Sequence, residues 1–177
     1  MTAQDDITLW NAIVTRVEEE WQKLPAEEKA WAVGHLRDLI RLQEQLHALF
    51  LAVGGAESCR ACDGECCGHG RFHPTLVNLL ACLLTGHPVP RPDFARLCPY
   101  IDVSGCQFPP GLRPYNCISF LCEAVEDQLD PEAKGAFYRL EGEIRTLYEL
   151  FAARYTGAGL RGLLIRGQLL PSYLARR

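Results

Sequence analysis

The chain has no cysteine outside residues 59–122, although it carries nine in 177 residues. It also lacks any run approaching the ~18 uninterrupted apolar residues of a membrane-spanning helix, because Arg, Glu, His or Gly interrupts every candidate. The opening residues, MTAQDDITLW, hold Asp5 and Asp6 where a secretory signal would hold Lys or Arg, and no apolar core follows them. A cytoplasmic location without a membrane partner is therefore expected. Missing as well are a phosphate-binding P-loop, GxSxG and HExxH, so the P-loop nucleotide, serine-hydrolase and zincin sites lack their residues. Neither internal repeats nor low-complexity segments occur. A formal charge of −4 gives no global basicity, and no RNA-binding signature accompanies the one basic stretch, five arginines from Arg154 onward. That stretch is read as solvated or as neutralised by the N-terminal helix, and no nucleic-acid partner is expected.

What the sequence does contain is helix. With 48% hydrophobic residues the chain can build a core without cross-links. Apolar residues recur at helical spacing between Asp6 and Leu24, where Trp10, Ile13, Val14, Val17 and Trp21 form one stripe. Pro25, Glu27 and Glu28 then start a second helix, which Leu36, Leu39, Ile40 and Leu46 carry to a stop at Gly54-Gly55. A short helix is predicted over about 74–84, and a long one from Pro131 to Tyr155 behind Asp130. The fold class is mainly α: a helical frame around a cysteine-rich, loop-dominated metal-binding centre. Residues 1–177 read as a single domain, with N-terminal helices at 1–53, a cysteine-rich metal-binding module at 55–123, and a C-terminal helix and basic tail at 130–177.

The cysteines fall into two groups. Cys59, Cys62, Cys66 and Cys67 lie within nine residues interleaved with glycine; Cys98, Cys106, Cys117 and Cys122 lie in and just after a proline-rich stretch. In a reducing compartment such an array points to metal or redox chemistry and not to permanent disulfides. Thiolates at CxxC spacing turn toward one ion where the loop between them reverses, and glycines let the backbone follow. The long irregular segment over residues 86–117 needs something to order it, and these thiolates are the candidates. All eight are predicted metal ligands. Two zinc sites with four thiolates each, or an iron–sulfur cluster held by some of them, both satisfy the donor set.

The ninth thiol, Cys82, falls on the apolar face of the short helix and reads as a buried, inert side chain. His69 and His73 flank the first group. With enough sulfur already present, His69 is read as a loop residue and His73 as a cap of the following helix. Arg113 is the candidate cofactor-binding residue, because a guanidinium just before Cys117 can donate to an anionic cluster or substrate; the alternative is a packed loop arginine. Tyr100 and Tyr115 read as packing residues. No catalytic residue is assigned.

The run Cys59-Arg-Ala-Cys62-Asp-Gly-Glu-Cys66-Cys67, followed by Cys98-Pro99-Tyr100, Cys106 and Arg113-Pro114-Tyr115-Asn116-Cys117-Ile118-Ser119-Phe120-Leu121-Cys122, resembles the YkgJ-type CxxCxxCC family over residues 59–122. That resemblance implies a zinc- or iron-chelating domain of undefined biochemical role, and some larger relatives look like flagellin lysine N-methylases with an iron–sulfur cluster. The chain departs from the family pattern in having three residues between Cys62 and Cys66. The expected function is that of a metal-binding protein with a cysteine-ligated zinc or iron–sulfur centre. The alternatives are an iron–sulfur-dependent enzyme or redox sensor, and a metal-stabilised module that binds a protein partner.

Overall fold

The computed structural model describes the backbone of residues 3–61, 65–103 and 105–177 and, of these, the side chains of all but 3, 60, 61 and 65–67. The chain is mainly α. Among the described residues it forms α1 (Ala3–Lys23), α2 (Ala26–Ala52), α3 (Gly55–Ala61), α4 (Leu76–Thr85), α5 (Tyr115–Ile118), α6 (Glu123–Glu126) and α7 (Pro131–Arg154). One antiparallel hairpin joins β1 (Ile101–Asp102) to β2 (Gly105–Cys106), with Ile101 opposite Cys106. Turns of 3-10 helix cover Glu65–Phe72, Pro110–Leu112 and Leu163–Arg166. No helix among the described residues is long and apolar enough to cross a membrane.

The long helices follow from their stripes. Trp10, Ile13, Val17 and Trp21 of α1 are buried, with Asp5 and Asp6 at the positive end of the helix dipole and Lys23 at the negative end. On α7 the Asp130 carboxylate accepts the Ala133 N–H at 2.8 Å and Pro131 supplies the pre-set first residue, while Phe137, Ile144, Tyr148 and Phe151 turn inward. At the centre lies α4, every residue of which from Leu76 to Cys82 is buried. A helix apolar on all sides has to be surrounded, and α1 and α2 both pack against it. Each leucine so buried contributes about 1.5–3 kcal/mol relative to exposure. A single apolar cluster runs from Trp10 through α2, α4 and α7 to Leu174.

One buried polar residue ties three parts of this core together. Asn78 of α4 accepts from the Thr75 N–H (2.9 Å) and hydroxyl (2.8 Å), and its amide donates to the Leu112 carbonyl (3.0 Å) and to Tyr148 Oη (3.1 Å). Thr75 therefore stands at the N-cap of α4, in place of His73, to which the sequence reading gives that role. The threonine, one position before the helix, has the extended backbone that a cap requires; His73 lies two residues too early.

Beyond α7 the chain does not continue as helix. It returns as a strap alongside the end of α7: Gly157 N–H donates to Tyr173 O and Thr156 N–H to Ala175 O, both at 2.9 Å. Glu20 of α1 accepts from the backbone N–H groups of Tyr173 (2.9 Å) and Leu174 (2.7 Å) and from the Ser172 hydroxyl (2.9 Å). Glu28 of α2 takes Arg154 in a two-point pair (2.8 and 2.7 Å), the Tyr155 hydroxyl at 3.0 Å and Arg176 at 3.2 Å. Two of the basic tail's arginines are thus paired with one carboxylate of an N-terminal helix.

Candidate metal centre

The first cysteine group begins on a helix and not on a loop. After Gly54 ends α2, the residues Gly-Ala-Glu-Ser-Cys-Arg-Ala coil again as α3, which carries an exposed Cys59. Alanine and glutamate favour helix, and that propensity outlasts the glycine stop. Cys62 lies outside the described residues, as do the side chains of Cys66 and Cys67. Their segment, the 3-10 stretch Glu65–Phe72, is pressed against the second group. A Cβ at Gly70 would stand 2.6 Å from Cys98 Sγ, so only glycine lets the first group's backbone come so near the second group's thiol.

The second group is mounted on short elements. Cys98 precedes the hairpin, Cys106 ends it, Cys117 lies within α5, and Cys122 is the N-cap residue of α6. Because α3 packs against α6, the helix bearing Cys59 lies beside the turn bearing Cys122. The Tyr100 backbone N–H donates to Cys98 sulfur, the i to i+2 turn that steers an amide at a thiolate. Burial pushes the Cys98 thiol above its ordinary pKa; that N–H pulls it back, and neighbouring Cys106 pushes it up again. Cys117, exposed on α5, has its Sγ 3.1 Å from His73 Nδ1. Burial and the nearby His69 hold the His73 imidazole below its ordinary pKa, which favours the neutral ring.

Around these groups stands a partly polar wall. Tyr100 is 2% exposed between Trp10 and Phe108, with ring centroids 5.6 and 5.5 Å away, and among the described residues its hydroxyl has no hydrogen-bond partner. Burial, first, and then Cys98 and Cys117 raise the pKa of that hydroxyl, while Arg71 lowers it. Arg71 is ion-paired with the fully buried Asp6 of α1, and its guanidinium lies over the rings of Phe72 (5.2 Å) and Phe94 (5.5 Å). The cation whose field reaches Tyr100 between the cysteines is therefore Arg71. Arg113, the residue singled out from sequence, donates from Nε to the Phe108 carbonyl at 3.3 Å, and its charge bears on His47. Its own carbonyl accepts from Gln43 at 2.6 Å, which anchors the turn before α5. Tyr115 is a packing residue, its ring tilted at 58° against Tyr148 with centroids 5.6 Å apart, and its hydroxyl donates to Glu141. Cys82 is fully buried in α4, and desolvation pushes its thiol up to about 12, so it stays protonated and inert.

Among the described residues no three Cys, His, Asp or Glu side chains converge closely enough to hold one ion. The donors that do approach one another are soft thiols and an imidazole, a chemistry that suits zinc or an iron–sulfur cluster and not a hard cation. Comparison with known proteins finds no matching family model, no similar curated protein and no similar solved structure.

Proposed function

We propose that the chain is a cytoplasmic metal-binding protein whose cysteine-rich segment holds zinc or an iron–sulfur centre. The observation that carries this reading is the approach of the two cysteine groups: Gly70, three residues after Cys67, abuts Cys98 Sγ, while Cys98 receives an amide N–H and Cys117 an imidazole. Amide-to-sulfur bonds stabilise thiolate, the form that binds metal. The resemblance of residues 59–122 to the CxxCxxCC family leads to the same reading. The ligands would come from Cys59, Cys62, Cys66, Cys67, Cys98, Cys106, Cys117 and Cys122. A bound ion would hold together loops that have little core of their own. Whether such a centre also serves a redox reaction or a protein partner depends on whether it keeps an open coordination position.

Anaerobic purification with metal analysis and a visible spectrum tests the proposal. Brown protein with inorganic sulfide identifies a cluster, and colourless protein with about two zinc ions identifies paired four-thiolate sites. Protein that carries neither, and gains neither on reconstitution under reducing conditions, overturns the reading.

A further inference from the structure

We propose that His73 is itself a ligand, so that the site containing Cys117 is a mixed nitrogen–sulfur set and not purely thiolate. The inference rests on the metal-binding reading above and specifies its donors. Three observations carry it. His73 Nδ1 stands 3.1 Å from Cys117 Sγ, across 44 residues of sequence. Nitrogen and sulfur bound tetrahedrally to one zinc at ~2.0 and ~2.3 Å lie about 3.5 Å apart, so the pair already has nearly the edge length of a coordination tetrahedron. The ring is not used by the α4 cap, which Thr75 and Asn78 make.

The histidine is also held in place from two sides. Its N–H donates to the Gly70 carbonyl at 3.1 Å, and the carbonyl of the next residue, Pro74, accepts the Leu163 N–H at 2.9 Å. Gly162 packs directly on the Phe72 carbonyl, too close for any side chain at that position. The strap after α7 thereby fixes the backbone on both sides of His73. A ligand held by surrounding backbone contacts is pre-organised for its ion, whereas a surface histidine owes its neighbour nothing. The same loop brings Gly70 against Cys98 Sγ, so Cys98 is a candidate source of further sulfur.

Cobalt(II) and zinc(II), added anaerobically to the reduced full-length chain, provide the test. His73→Ala should lower zinc affinity by about 100-fold or more, beyond the ~10–100-fold typical of losing an outer hydrogen-bond partner. His73→Cys should restore binding, with stronger thiolate-to-cobalt charge transfer and shifted d–d bands; His69→Ala should change neither. On the unsubstituted protein, which removes any question of folding, the His73 ring nitrogens should shift in long-range 1H–15N spectra when zinc is added. An unchanged cobalt spectrum in His73→Ala, even with weaker zinc binding, would make the imidazole only a hydrogen-bond partner of Cys117 and overturn the proposal. If the wild-type chain binds metal but His73 does not respond, this proposal falls and the metal-binding reading stands. If it binds no metal, both fall.

Discussion

The helical frame and the cysteine-bearing segments are neighbours in space but are held by different forces. Trp10, Ile13, Leu36, Leu39, Leu80 and Phe151 are each at most 2% exposed, and the helices that carry them run to 27 residues. Between Pro88 and Cys122 the strands have two residues, α5 four and the 3-10 turn three, while Leu97, Val103 and Phe120 are 63%, 100% and 54% exposed. Tyr100, Phe108, Leu112, Tyr115 and Ile118 pin this segment to the frame. The frame is stabilised by apolar area, whereas the cysteine loops have anchors with little packing between them. A metal cross-link would act on the second region without being required by the first.

Stripping the proposed metal from the reduced protein should therefore give the largest and most uneven effect. Structural zinc contributes ~10–16 kcal/mol in small peptides, comparable with a whole domain's stability. Hydrogen exchange should rise sharply over residues 94–106 and 119–123, yet remain slow in α4, although α4 lies between the two cysteine groups. Equal loss of protection in α4 would dissolve the distinction between frame and loops.

A second variant attacks the bond between the regions. Asn78→Leu removes the donors and acceptor that serve Thr75, Leu112 and Tyr148, leaving buried polar groups unpaired at a cost of about 2–3 kcal/mol. Urea titration should register that loss as a lower midpoint. A loss confined to the cysteine segment, with the frame's midpoint unmoved, would show that Asn78 does not couple them.

The smallest expected effect is electrostatic and belongs to the frame alone. Arg154, followed by Tyr155 and Arg176, holds Glu28 below its ordinary pKa of 4.5 against the opposing effect of burial. Its folded value is depressed, so its contribution is fully present above that ordinary value and is lost as pH falls through the folded one. Glu28→Gln should flatten the acid limb of a stability-against-pH curve while leaving zinc affinity untouched at neutral pH. An acid limb identical to wild type would remove Glu28 from the account.

The frame was legible because its information is local. Trp10, Ile13, Val17 and Trp21 declare α1 by spacing alone, as Asp130-Pro131 declares the start of α7. Cys82 was legible for the same reason. What escaped was long-range or competed locally. Asp6 with Arg71, and Glu28 with Arg154, are separated by 65 and 126 residues, and no periodicity connects such partners. The α3 helix hid behind the glycine-rich texture that follows it, and Thr75 displaced His73 as cap because one extended residue next to the helix outranks a polar residue two places away. Arg71, whose charge bears on Tyr100, was equally silent in sequence because nothing local links it to Cys98.

The strap after α7 also sets a temporal order. Residues 162 and 163, which clamp the backbone around His73, and residues 171–174, which dock on Glu20 and Arg16, leave the ribosome only after every cysteine has been made. During synthesis the thiol-bearing loops precede the segment that fixes them, and α4 and α7 can already be packing. Assembly of this molecule thus has a built-in interval in which its sulfur groups are complete but not yet clamped.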